Sequence, residues 1–223
     1  MTRTRFSRRG FSLSILSLLV GIALSPGARA QSLTTLFGSN NGNAIGGMVF
    51  FDLNVSAGKN ITVTSIDTNV DTINGIPPIA VGSVIQVDVY IRTGTASGFE
   101  GNSAGWTKVS SGTGLAAVVN THTSIDISDF LIGSGITGVG LHNVTYRAGY
   151  TNGTGVNEFY SNADLSLTAR SATGTSFTGG PVNSPRVWNG EIFYTVITGA
   201  PEPGTLALVA LGMIGGIVAR RRK

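Results

Sequence analysis

The stretch Ile85-Gln86-Val87-Asp88-Val89-Tyr90-Ile91-Arg92 decides the fold class. Ile85, Val87, Val89 and Ile91 alternate with Gln86, Asp88, Tyr90 and Arg92, and a period of two puts the aliphatic side chains on one face of an extended strand. The pattern recurs outward from this segment. Leu165, Leu167 and Ala169 alternate with Ser166, Thr168 and Arg170, and Ile125 and Ile127 flank Asp126. Weaker or wholly apolar runs cover 48–55, 60–66, 105–110, 115–119, 139–147 and 186–197. Turn-forming clusters separate them, among them Asn40-Asn41-Gly42, Asn74-Gly75 and Gly179-Gly180-Pro181. No window of a dozen residues between 31 and 198 spaces its apolar residues by three and four, so no helix is expected there. The expectation for 31–198 is one all-β domain of about nine antiparallel strands, packed as a jelly-roll-like β-sandwich. A β-solenoid is the competing architecture, but it needs a fixed repeat and the strand spacing is irregular. The polar, Gly-rich stretch 149–162 reads as a long surface loop.

Charge divides the chain into three parts. The 223 residues carry 15 Lys plus Arg against 11 Asp plus Glu, a net charge of +4, with no Cys. Five of the Arg lie in residues 1–30 and four of the cations in 199–223, which leaves 31–198 with six basic and ten acidic residues. The basic excess therefore belongs to the two ends, and the acidic body lacks the electrostatic footprint of a nucleic-acid binder. The absence of Cys removes disulfides and thiolate metal sites.

Residues 1–30 have the three parts of a signal peptide. Arg3, Arg5, Arg8 and Arg9 make a cationic start, Phe11 to Leu24 is apolar, and Ala28-Arg29-Ala30 offers small residues to signal peptidase, with cleavage expected after Ala30. The apolar stretch is shorter than the roughly 20 residues that a spanning helix needs. Ser7-Arg8-Arg9-Gly10-Phe11 resembles the twin-arginine signature of signals that export folded cargo, so Arg8 and Arg9 are candidates for that route. Ser12 stands where that signature prefers Leu, and the general secretory route is the alternative.

Residues 199–223 contain Pro201-Glu202-Pro203, then an apolar or small-residue run from Gly204 to Ala219, then Arg220-Arg221-Arg222-Lys223. A helix over 204–219 is about 24 Å long at 1.5 Å per residue, short for a membrane core of about 30 Å, yet snorkelling cations and local thinning accommodate it. The basic cluster would sit in the cytoplasm, with the body outside the inner membrane. This order of features resembles the PEP-CTERM sorting signal of Gram-negative bacteria, a region also called an ice-binding protein C-terminal domain. The resemblance implies that exosortase, a membrane-embedded transpeptidase-like enzyme, cleaves near Pro201, Glu202 and Pro203. It further implies release to the cell surface or an exopolysaccharide matrix. These residues would then be substrate and would catalyse nothing. No regular array of Thr of the kind a flat ice-binding face requires is visible.

Within the body, Gly101-Asn102-Ser103-Ala104-Gly105 matches G-x-S-x-G, and Asp126 or Asp129 and then His142 follow in the order of an α/β-hydrolase triad. The flanking segments supply neither the buried strand nor the helix of a nucleophile elbow, so Ser103 is expected in a polar loop. Asp67, Asn69 and Asp71 superficially resemble a calcium loop, but Thr72 and Pro78 stand where that loop needs Gly and Glu. A plain turn is expected, with a surface Ca²⁺ as the alternative. His122 and His142, the two histidines, read as ordinary strand or loop residues, since a zinc site would need carboxylates that sequence cannot place. Trp106, Trp188, Tyr146, Tyr150, Tyr160 and Tyr194 could form a sugar-stacking platform, although such rings more often fill a sandwich core. No catalytic residue, metal or cofactor is assigned. The expected role is an exported, non-enzymatic envelope or matrix protein, with a carbohydrate-binding or Ca²⁺-dependent adhesive module as the alternative and a serine hydrolase as a remote one.

Overall fold

The computed structural model describes residues 30–72 and 78–198. Residues 1–29 of the expected signal peptide, with Arg8, Arg9 and Ala28, lie outside the described residues, as do Pro201, Glu202 and Pro203, the helix 204–219 and the basic cluster 220–223. Among the described residues no helix is long and apolar enough to cross a membrane.

Thirteen strands form one hydrogen-bonded sheet. They are β1 (Ala30–Thr34), β2 (Asn41–Gly42), β3 (Met48–Val55), β4 (Lys59–Thr68), β5 (Val84–Thr93), β6 (Thr107–Leu115), β7 (Thr123–Ile132), β8 (Gly135–Asn143), β9 (Gly149–Asn152), β10 (Phe159–Ser161), β11 (Leu165–Thr173), β12 (Val182–Trp188) and β13 (Gly190–Thr198). Their spatial order is β1-β13-β4-β7-β6-β5-β8-β3-β11-β12-β9-β2, with β10 beside β11, and every pairing between strands is antiparallel. The central pairs are nested: β5 with β6, β4 with β7, and β3 with β8. The joins β5–β8 and β6–β7 roll this long ribbon upon itself.

Rolling is what buries the apolar face. Val49, Phe51, Leu53 and Val55 of β3, Val139 and Leu141 of β8, Ile61, Val63 and Ile66 of β4, and Ile192 and Tyr194 of β13 share one core. A small gap of about 10 Å³ is lined by side chains from both arms of the roll, including Phe51 and Leu141 from one and Val63 and Ile192 from the other. Register shifts bend the strands, as at Val63/Ser65 in β4 and Phe193/Tyr194 in β13. At the open side, Asn162 bridges the two arms: its Nδ2 donates to the Ser32 carbonyl at 2.9 Å and to the Tyr194 hydroxyl at 2.8 Å. Lys59 pairs with Asp164 at 2.7 Å beside it.

The alternating segments at 85–92 and 165–170 are strands as expected, and the body is all-β. Several expectations are corrected. Among the described residues there are thirteen strands where about nine were expected, because β1, β2, β9 and β10 are too short to show a period. The stretch 149–162 is not one loop: β9 pairs with both β12 and β2, with Gly149, Tyr150 and Thr151 buried. The run 115–119 is not a strand, since the chain leaves β6 after Leu115 and Ala116 turns back to bond Gly82 and Ser83. The run 186–197 is two strands separated by Asn189.

That break is set by packing. Trp188 is fully buried, stacks on Phe51 at 5.0 Å and 14°, and its indole N–H donates to Thr68 Oγ1 at 3.3 Å. Gly190 pairs with Thr68 on the neighbouring strand, directly under the Trp188 ring, and a Cβ there would overlap that ring. Gly190→Ala is therefore expected to destabilise the fold by about 1–3 kcal/mol through overpacking. At about 2–4 °C per kcal/mol for a domain of this size, thermal unfolding will show it. Unfolding of the variant together with the wild type would remove the steric account of Gly190.

Candidate functional site

The sheet's outer face is covered where loops 94–106 and 174–181 lie on β3, β5, β8 and β11. Met48, Phe50 and Ala96 form a second small core there, with Tyr90, Trp106 and Phe177 packed against it. Phe177 meets Tyr90 edge-on at 5.2 Å and Trp106 at 5.6 Å. Gly138 and Gly140 let this layer approach β8: a Cβ on Gly138 would press on the Ala96 backbone at 2.7 Å, and one on Gly140 on the Phe50 ring at 3.1 Å.

Buried carboxylates pin the layer. Asp52, 4% exposed, accepts from Thr95 Oγ1 at 2.7 Å, Ala96 N at 2.7 Å, and Arg170 Nε and Nη2 at 2.8 and 2.6 Å. Glu100 accepts from Ser171 Oγ at 2.9 Å and Gly98 N at 2.8 Å. A register shift in β11 beside Arg170 reverses the alternation, so Ser171 takes the outward position that parity would have given to Ala172. These acids have their acceptor capacity spent on structure.

The residues singled out in the sequence do not assemble into a triad. Ser103 is exposed, in a turn closed by the Trp106 N–H to the Ser103 carbonyl at 3.1 Å. Asp126 and Asp129 are exposed on β7. His142 lies on β8 between Met48 of β3 and Asp88 of β5. Its Nδ1 is 3.8 Å from Asp88, whose other oxygen is held at 2.8 Å by Lys108 of β6. Burial lowers the His142 pKa below the ordinary 6.5, Lys108 lowers it further, and Asp88 opposes them. Of the six aromatics considered for sugar stacking, Trp188, Tyr146 and Tyr194 are fully buried, Tyr150 nearly so, and Trp106 and Tyr160 half-buried. Most of this set is therefore core.

Asp67, Asn69 and Asp71 diverge instead of forming a calcium loop. Asp71 is paired with Arg147 Nε at 2.8 Å. Asn69, wholly buried, donates from Nδ2 to the Phe37 carbonyl at 2.9 Å and to Asn120 Oδ1 at 3.1 Å, and its Oδ1 accepts the Asn120 N–H at 2.8 Å. Asp67 lies beside His122: the imidazole Nδ1–H donates to Asp67 Oδ2 at 2.9 Å. Glu191 Oε2 is 3.6 Å from the same nitrogen. The Phe37 ring stacks on the imidazole at 3.7 Å and 18°. Sequence reasoning gave His122 no partner and overlooked Glu191 and Phe37, because positions 37, 67, 122 and 191 meet only once strands and loops are folded together.

An open groove of about 440 Å³ lies between the ends of β5 and β7 and the starts of β6 and β8, with exposed Leu131 and Ile136 on its rim. Arg92, the one charged group in its lining, has its guanidinium stacked on Phe99 at 3.4 Å.

The last described strand residue is Thr198, and a family profile described as the PEP-CTERM protein-sorting motif matches residues 200–223. The chain carries a PEP-CTERM sorting motif. The motif implies export and sorting to the cell surface, with exosortase as processing partner. No curated protein matches the chain.

The His142 environment carries a pH consequence. With its folded pKa lowered, the unfolded chain holds more protons between that value and 6.5, so stability falls as pH drops through this window. His142→Asn is expected to show a smaller loss of melting temperature on acidification below 6.5 than the wild type. Parallel pH profiles of the two proteins would sink the assignment.

Proposed function

We propose that the chain is an exported envelope or extracellular-matrix protein, delivered by exosortase, whose jelly-roll-like β-sandwich body serves a structural or interaction role without catalysis. The matched sorting motif, beginning two residues beyond the last strand, carries the reading. In this reading signal peptidase removes residues 1–30. β1 begins at Ala30, so cleavage there leaves Gln31 as the first residue and keeps its pairing with Tyr194. The helix 204–219 holds the precursor in the inner membrane, with the body in the periplasm. Cleavage near Pro201, Glu202 and Pro203 then transfers the body to the surface or to an exopolysaccharide matrix.

The state of the acidic side chains supports a non-catalytic body. Asp52, Asp71, Asp88 and Asp164 are each in an ion pair with Arg170, Arg147, Lys108 and Lys59 respectively. Ser103 has no histidine among its hydrogen-bond partners in the described residues. Pro201 follows Thr198 by three residues, a reach of at most about 11 Å for a fully extended chain. The body is thus expected to rest close to the membrane until it is cut.

Replacing Pro201, Glu202 and Pro203 together by Ala in a host that encodes exosortase tests this. The expected result is retention in the inner-membrane fraction at precursor mass, while the wild type loses its C-terminal tail and leaves that fraction. A variant reaching the same fraction at the same mass as the wild type would reduce the tail to an anchor.

A further inference from the structure

We infer that Asp67, His122 and Glu191 form a binding site for a borderline first-row divalent cation, with Zn²⁺ as the fitting probe. The inference is independent of the sorting reading and survives its failure. Three observations carry it.

First, the donor atoms converge. The Asp67 oxygen and the Glu191 oxygen lie 2.9 and 3.6 Å from His122 Nδ1, and one donor atom from each residue falls within 4.8 Å of the others. Donors about 2.0–2.1 Å from a tetrahedral zinc are themselves roughly 3.3 Å apart, so small side-chain adjustments close the site. One imidazole and two carboxylates suit such a cation better than Ca²⁺, which takes six to eight oxygens.

Second, the electrostatics call for a cation. Asp67 and Glu191 are directly opposite each other on β4 and β13, a placement that is unfavourable for two like charges. Asp67 is only 6% exposed, and no Lys or Arg ion pair engages either acid among the described residues. His122 is the partner they share, and its Nδ1–H is one donor facing two carboxylates.

Third, the histidine is held by a built surround. The Phe37 ring covers its face. The buried Asn69 amide ties the Phe37 backbone to Asn120, two residues before His122, and Asn120 Oδ1 also accepts from Ser39 N and Oγ at 2.9 and 2.8 Å. Positive φ at Asn120, 65°, turns the chain so that His122 meets Asp67. Such support around a ligating imidazole fixes its ring plane before a metal arrives. Binding would replace the Nδ1 proton, which passes to solvent, and would leave a coordination position open, because His122 is exposed.

The site also has a direction. Glu191 is at the start of β13 and Thr198 at its end, about 24 Å apart at 3.4 Å per residue. The cation would therefore sit at the opposite end of β13 from Thr198, where a second molecule can supply the remaining ligand.

The test uses the full chain in detergent, stripped with a chelator and titrated with Zn²⁺, Co²⁺ and Ca²⁺. Expected are one tight Zn²⁺ per chain, the intense visible absorption of tetrahedral Co²⁺, and no displacement by equimolar Ca²⁺. His122→Asn and Glu191→Gln should each weaken Zn²⁺ binding at least about tenfold, whereas His142→Asn should bind as the wild type does. Glu191→Gln also relieves the opposed charges, so without metal it should melt no lower than the wild type, and loss of folding will not mimic loss of the site. Failure of the wild type to retain Zn²⁺, or unchanged affinity in both ligand variants, overturns the inference.

Discussion

With no helix in the described body to cover it, the sheet has to cover itself. A strand with one apolar face is stable only when that face leaves water, and here the sole available partner is the other arm of the same sheet. Rolling satisfies this need, and it explains why the nested pairs β3–β8, β4–β7 and β5–β6 are continuous with one another. The bulges in β4, β11 and β13 follow from the same need, since a flat ladder of this width could not bend its arms into contact. Asn162, reaching from one arm to Ser32 and Tyr194 on the other, joins the roll by hydrogen bonds where the ladder does not.

Once the inner face is filled, the outer face becomes the place for polar structure. On β3, Met48, Phe50 and Asp52 point away from the core, and the loops that settle over them must satisfy a buried carboxylate as well as cover apolar rings. Four hydrogen bonds to Asp52, two of them from Arg170, meet that demand. An unpaired carboxylate in this position would oppose folding strongly. The acidic balance of the body is thus largely internal: its acids hold loops and strand ends together.

The two ends of the roll have different roles. Near Thr198 the chain passes to the matched sorting motif. At the opposite end of β13, buried Asp67 and half-buried Glu191 converge on the exposed His122, and no Lys or Arg pairs with either acid among the described residues. In the proposed reading, the chain is delivered through its Thr198 end and presents the Asp67, His122 and Glu191 cluster at the other end of β13.

The sequence alone determined what depends on local order. Alternation at Ile85–Arg92 and Leu165–Arg170 specifies strands, because side-chain direction reverses at every residue. The Pro-Glu-Pro motif, apolar run and basic cluster are likewise legible, since they are read as a linear string. Tertiary structure decided the rest. Tyr150 belongs to a strand because it pairs with Trp188 and Asn41, and Ser171 faces Glu100 because a bulge reverses parity, an event without a composition signature. The meeting of Asp67, His122 and Glu191 has no trace in their spacing. Strand pairing and the turn before β7 bring together residues more than fifty positions apart, and a pairing partner is a property of the folded sheet that neither strand encodes by itself.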